Sequence, residues 1–524
     1  MRLPRFAPHR VALPGRGPGS ILEVPVRRCS HPPIVQNLVS GGIVLPASTP
    51  LVEGVVAVVK RDCPTCQMVA PVLAQLRAAG VPLTVYSQDD PAFPPGVPVV
   101  DDTALDVSVR LQIETVPTLL RVDGGEVIER TEGWVRERWE RLTHVSGLGN
   151  GLPHFRPGCG SRTLEPGIAE RLAVREGAGR LRSRRIVTGE LEDAIEACDA
   201  RGWTDGLPVV PPIPARVLRM LEGTRRAPDE IVAIVPPDYA GCSVEKVAIN
   251  AVMAGCRPEH LPVVLAAVEA VCTDAFNIHG VLATTYFVGP VVVVNGPIAR
   301  AIGMNSGVNA LGQGNRANAA IGRALQLVIR NVGGGRPGEV DRATLGNPGK
   351  YTFCFAEDEG RSPWEPLSVE RGLPPGTSAV TVFAGEGPRG VFDQRSRTPE
   401  SLSRSLAWCL RTVAHPKLVH DYDALVVISP EHGRVFREAG WSKARLREEI
   451  VRVLTRPGAE IVRGAGGCAE GMPEEFAAGT SSKFLPENLL VVHAGGTAGL
   501  FSSIIGGWKN GPAGSQPVTR EVIV

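Results

Sequence analysis

Cys63-Pro64-Thr65-Cys66 is the arrangement in this chain with the most definite chemistry. A cysteine at the start of a helix meets free backbone N–H groups and the positive end of the helix dipole, and both stabilise its thiolate. Cys63 is therefore the expected attacking sulfur. Cys66, one turn further on, is placed to resolve a mixed disulfide formed there. Pro64 suits a first helical turn, where its missing N–H costs nothing. The competing reading, half of a zinc site, lacks a second CxxC knuckle among the 11 cysteines. Asp62, directly before the motif, is expected to oppose thiolate formation and raise the Cys63 pKa relative to a neutral neighbour.

A dithiol needs a partner, and tethering makes one in the same chain effective at about millimolar concentration. Cys242, in Ala240-Gly241-Cys242-Ser243 at an expected helix start, and Cys354, ahead of Glu357, Asp358 and Glu359, are the favoured partner thiols, with Cys159 and Cys468 beside them. Cys256, Cys272 and Cys409 fall on apolar helix faces and read as core. A second feature is the glycine- and asparagine-rich stretch 304–316 ahead of a helix. Asn305, Asn315, Arg316, Asn318 and Arg323 would bind a carboxylate or phosphate there. The competing reading is a loop whose amides satisfy its own backbone. Gly312-x-Gly314-x-x-Ala317 does not directly follow a strand, which argues against a dinucleotide site. His279 is a candidate general acid or base. His432 and His493 each follow an expected strand; with Glu357, Glu359 or Asp205 they keep a metal site open, although no HxxxH spacing occurs and no metal ligand is assigned.

The elements that must position these groups follow from periodicity. Residues 55–60 read as a strand, 67–80 as a helix with Met68, Val69, Val72, Leu73 and Leu76 on one face, and 83–86 as a second strand. A short helix follows near 105–111. Residues 116–120 start a strand that turns at Gly124-Gly125 and returns over 126–129, and a helix over about 135–144 closes the unit. With CxxC at the first helix start, Pro71 five residues beyond Cys66 and Val116-Pro117-Thr118 before the hairpin, residues 51–147 resemble the thioredoxins and glutaredoxins. The resemblance implies a cis-proline at Pro117 beside the sulfurs. It also marks two departures: Asp62 replaces the family's tryptophan, and Ala57 stands near its buried acid.

Residues 1–50 read as a poorly ordered basic, proline-rich leader and 148–200 as a linker. The segment Gly202-Trp203-Thr204-Asp205-Gly206-Leu207-Pro208, continued by Val209-Val210-Pro211-Pro212, is similar to that of uncharacterised bacterial proteins linked to the UGSC selenoprotein group, although the chain has no UGSC tetrapeptide. From 201 to 375 helices (244–254, 261–271, 317–332) alternate with loops around a strand at 290–294. From 376 to 524 strands at 379–383, 424–428 and 489–492 alternate with helices, the last expected after the loop 494–497. No internal repeat is visible. The expected fold class is α/β: a thioredoxin-like N-terminal domain followed by a larger α/β body of one or two lobes.

Composition sets the outer limits. At 524 residues the chain exceeds one ordinary core. A net charge of +2 gives no reason to expect nucleic acid or an anionic membrane as partner. No run of about twenty apolar residues is present, and the first fifty residues lack the apolar centre of a secretion signal. The odd, scattered cysteines suit a reducing, cytoplasmic setting. The expectation is a thiol–disulfide oxidoreductase whose dithiol serves a fused domain acting reductively on a small anionic molecule, drawing on an external thiol reductant or reductase. The alternative is a lyase or hydrolase whose active-site thiol or metal the dithiol keeps reduced. No cofactor beyond the redox-active dithiol is assigned, and the sequence does not fix the oligomeric state.

Overall fold

Val55 to Val59 form an unbroken apolar run, too short for a helix and flanked by Gly54 and Lys60, and it becomes the central strand of the first sheet. The computed structural model describes residues 52–524 except 187, 189–192 and 512; the expected leader 1–50 lies outside the described residues. The chain is mixed α/β, built from several sheets. After β1 (Gly54–Val59) come α1 (Pro64–Ala78), β2 (Leu83–Ser87), β3 (Val99–Asp101), α2 (Asp106–Arg110), β4 (Thr115–Val116), β5 (Thr118–Asp123) and β6 (Glu126–Glu132). The order is β3-β2-β1-β5-β6, with β1, β2 and β3 parallel and β5 and β6 antiparallel. The α1 face Val69, Val72, Leu73 and Leu76 packs into this core. β7 (Trp134–Val135) and α3 (Arg136–Thr143) close it, with Trp134 and Trp139 fully buried edge to face at 5.1 Å.

The expected linker is not one throughout. β8 (Phe155–Arg156) pairs β7, and β9 (Cys159–Gly160) pairs β4, so this stretch is a strap laid on the first unit. Helix α4 (Ile168–Gly177) follows, and its Arg175 reaches Asp106 at 2.9 Å. α5 (Ala194–Ala200) and α6 (Pro214–Leu221) then lead to a hairpin, β10 (Ile231–Val235) and β11 (Ala240–Ser243), which carries Cys242 on a strand.

The body is built on α7 (Val244–Ala254), α8 (Leu261–Val271), α9 (Ile278–Ala283), β12 (Gly289–Asn295), α10 (Pro297–Ala301), α11 (Arg316–Asn331), β13 (Cys354–Ala356), α12 (Leu367–Glu370) and β14 (Ala379–Gly385). It continues through β15 (Arg389–Phe392), α13 (Pro399–Leu410), β16 (Tyr422–Ile428), α14 (Pro430–Glu438), α15 (Lys443–Leu454), β17 (Arg456–Pro457), β18 (Thr480–Ser481), β19 (Leu489–His493), β20 (Phe501–Lys509) and β21 (Val518–Glu521). β14 pairs with β12 along its whole length, so a division at 375 would cut one sheet. The stretch after 497 is a strand and not the expected helix. Antiparallel ladders to β15 and β16 take up this segment, and at Gly507 a Cβ would come within 2.8 Å of Asp423 O and Phe383, so bare backbone is needed there.

Strand pairing also exposes a repeat that the sequence hides. β12 runs parallel to β13 and antiparallel to β14, which pairs β21; β16 runs parallel to β19 and antiparallel to β20, which pairs β15. The two four-stranded halves meet at the single pair Gly385–Gly507. Alternation along the strands sorts their side chains. Val291, Val293, Leu425 and Val427 fill a layer between the halves. Val292 and Val294 face α7, α8 and α11, whereas Ala424, Val426 and Ile428 face α13 to α15. The result is four layers, helices outside two sheet halves. Among the described residues no helix is long and apolar enough to cross a membrane.

Candidate active site at the dithiol

Helix α1 begins where Pro64 fixes the first turn, and this makes Cys63 the residue that caps it. Its backbone is extended (φ −140°), and the Cys66 N–H donates to Cys63 Sγ at 3.3 Å. The Val116–Pro117 peptide is cis, and Val116 O lies 3.5 Å from Cys63 Sγ. Cys66 sits deeper, with the Lys60 N–H 3.5 Å from its sulfur. Both sulfurs are reduced and fully buried.

The two thiols are driven apart electrostatically. A hydrogen bond from the Cys66 thiol acts most strongly on Cys63; burial opposes it, and the Cys159 thiol with the backbone N–H groups of Cys66 and Thr65 adds to it. Together they bring Cys63 down to about 5. Burial, reinforced by the neighbouring Cys63, pushes Cys66 far up. Asp62 is exposed, and other groups set the Cys63 shift, which is downward overall.

The roof over the pair was not expected. Thr65 Oγ1 donates to Pro157 O at 2.7 Å, and Lys60 Nζ donates to Gly160 O at 3.0 Å while pairing with Glu165 at 3.3 Å. Buried Gln88 donates to Ser161 Oγ at 2.7 Å and accepts from the Arg162 N–H at 3.0 Å. The strap presses so closely on the proline loop that a Cβ on residue 158 would stand 2.4 Å from Thr115 and 2.8 Å from Val116 O, so Gly158 is required. Lys60, Thr65, Gln88 and Gly158 escaped the sequence reading. The available signal was a cysteine inside the turn-forming run Pro157-Gly158-Cys159-Gly160-Ser161.

No protein-family model matches the chain, and no curated protein matches it either. The remaining expected residues therefore rest on their own geometry, and most are committed elsewhere. Cys242 is fully buried on β11, and burial pushes it up to about 12, the reverse of activation at a helix start. Cys354, on β13, is buried and pushed up for the same reason. Both belong to the core of α7, α8 and α11, whereas Cys63 and Cys66 belong to the first unit's core. His279 is exposed, edge-on to Tyr239 at 6.4 Å.

The asparagine loop satisfies itself. Asn305 accepts from Gly307 N–H and donates to Val308 O, Asn315 caps α11 by accepting from Asn318 N–H, and Asn318 donates to Asn305 O. Arg316 Nε donates to Gly255 O at 2.8 Å. Arg323 holds Asp205 through two bonds of 2.7 and 2.8 Å and also donates to Leu207 O and Pro208 O. It ties the 203–208 segment to α11 and does not face a loop anion.

A separate polar knot lies where β12, β13 and β19 end. Asn295 donates to Glu357 at 2.7 Å and to Glu359 at 2.9 Å, and Asp358 N–H donates to His493 O at 2.7 Å. Burial raises the Glu357 carboxyl and lowers the His493 imidazole, so both favour their neutral forms. His432 is satisfied by Ser502 at 2.8 Å and Asp393 O at 3.0 Å. No group of three or more His, Cys, Asp or Glu among the described residues is placed to hold a metal ion.

Proposed function

We propose that this chain is a thiol–disulfide oxidoreductase whose reactive centre is the Cys63/Cys66 dithiol of a thioredoxin-like unit. One observation carries the reading: Cys63 caps α1 with its sulfur on the Cys66 N–H, while Cys66 is shut in behind it. Cys63 thiolate attacks one sulfur of a substrate disulfide, forming a mixed disulfide and releasing a thiolate. Cys66, giving up its proton, then attacks Cys63, closes the internal disulfide and releases the second thiol. The α/β body is the domain this dithiol serves, and an external thiol reductant restores the pair. The cysteine usage fits a reducing compartment such as the cytoplasm.

Timed alkylation of the reduced protein tests the assignment. Cys63 should react with iodoacetamide well before Cys66, along a pH profile with its midpoint near 5. Cys63→Ser should abolish reduction of a small aromatic disulfide. Equal labelling of the two sulfurs at neutral pH would remove the basis of the reading.

A further inference from the structure

A third cysteine, Cys159, packs beside the dithiol. β9 pairs β4 with Cys159 directly opposite Val116, the residue whose carbonyl touches Cys63 Sγ. The flanking backbone is fastened on both sides of Cys159, Pro157 O to Thr65 and Gly160 O to Lys60, and Ser161 N–H donates to Glu114 O at 2.8 Å. The Cys159 side chain packs against the core that holds Cys63 and Cys66, and its thiol helps draw Cys63 toward the thiolate form. Of the three, Cys159 alone retains contact with solvent. With the strap in place Cys63 has no exposed surface, so an outside disulfide reaches it only past the strap, whereas Cys159 is partly exposed.

From this we infer that Cys159 is a third redox thiol, a second resolving cysteine through which the buried CxxC pair exchanges its disulfide with the outside. The inference rests on the oxidoreductase reading above and names its in-chain partner. In the oxidised protein the Cys159 sulfur attacks Cys63 Sγ. The S–S bond between Cys63 and Cys66 breaks, a bond between Cys63 and Cys159 forms, and the proton lost by Cys159 ends on the departing Cys66 thiolate. No electrons leave or enter in this step. It moves the disulfide from a sealed position to one whose outer sulfur an external thiol can attack, releasing Cys63 and leaving a mixed disulfide on Cys159. A second external thiol then frees Cys159 as the external disulfide departs. The net result is reduction of the pair by two thiols.

The test uses the full chain carrying Cys66→Ser, which stops the inner exchange. Treated with oxidised glutathione, Cys63 takes up one glutathione; Cys159 should then displace it, giving reduced glutathione and a Cys63–Cys159 disulfide. Non-reducing peptide mapping should recover that cross-link as the main product, and the free-thiol count should fall by two. Cys66→Ser/Cys159→Ser should instead accumulate the glutathione adduct on Cys63. A stable Cys63–glutathione adduct in the single variant, with Cys159 still open to alkylation, would overturn the third-thiol inference and leave the oxidoreductase reading standing. Absence of both adduct and cross-link, in Cys66→Ser and in Cys66→Ala alike, would overturn both.

Discussion

Cys63 and Cys242 are equally dry, each with no exposed surface, yet burial decides the state of only one of them. Around Cys242 burial dominates and the sulfur stays a thiol, and Cys256 and Cys272 are likewise pushed up to about 12. Around Cys63 the burial penalty is outweighed by donors that the α1 start and the strap aim at one atom. The difference is one of organised dipoles and not of exposure. Dryness without donors makes an inert core residue; dryness with them makes a stabilised thiolate.

The largest expected effect breaks this comparison directly. Cys63→Ser should lower disulfide exchange by more than about a hundredfold, since a serine hydroxyl cannot replace a thiolate. Cys354→Ser should leave the exchange rate alone and destabilise the body by about 1–3 kcal/mol, the cost of burying a hydroxyl without a partner. Exchange kinetics and urea unfolding measured on both variants check it. A slow Cys354→Ser variant of unchanged stability would mean that the body thiol, and not the strap, serves the dithiol.

Arg323 sharpens the contrast within the body. Its side chain and that of Asp205 are 15% and 11% exposed, so Arg323→Ala strands a largely buried carboxylate and should cost about 3 kcal/mol. Burial raises the Asp205 pKa, but the Arg323 bonds and charge outweigh it and the net shift is downward. A depressed folded pKa stabilises above the unfolded carboxylate value and is lost as pH falls through the folded one. The variant should therefore lose most stability near neutrality and least in acid. Arg316, exposed and holding only Gly255 O, should change stability by about 0.5 kcal/mol or less when replaced by alanine. Thermal melts of both variants at neutral and acid pH decide between clamp and anion site.

Local signals were legible where one residue type has one use. The helices 244–254 and 261–271 appear with the bounds their apolar period implies. Cys63 at a helix cap and the cis peptide at Pro117 were equally readable from CxxC and Val-Pro-Thr. What the sequence hid depends on distant pairing. Nothing near Cys159 says that it lies opposite Val116, and nothing in Phe501 to Lys509 reveals a strand until it pairs with β15 and β16. The two sheet halves share strand order but little sequence, so their repeat shows only in the ladders. The asparagines of 304–316 misled for a physical reason: a side-chain amide serves a loop backbone as well as it serves a ligand.

The smallest effect separates the two donors on Cys63. The Cys66 thiol acts on it most strongly and the Cys159 thiol less, so removing each in turn should raise the Cys63 pKa in that order. A hydrogen bond to a charged group contributes about 1.5–3 kcal/mol. At 1.36 kcal/mol per pH unit, losing one corresponds to roughly one to two units. Cys66→Ala should therefore move the alkylation midpoint of Cys63 upward from about 5 by that order. Cys159→Ala loses a weaker donor, and it also thins the roof, letting water solvate the thiolate and recover part of the loss. Its midpoint should rise by about one unit or less. Above the midpoint, where the thiolate fraction is full, the absolute rate should rise, because the strap closes less tightly over the sulfur. Serine at either position keeps an O–H donor and should shift the midpoint less than alanine does. A midpoint unmoved in Cys159→Ala, with no gain in rate, would mean that the strap neither touches the thiolate nor guards it.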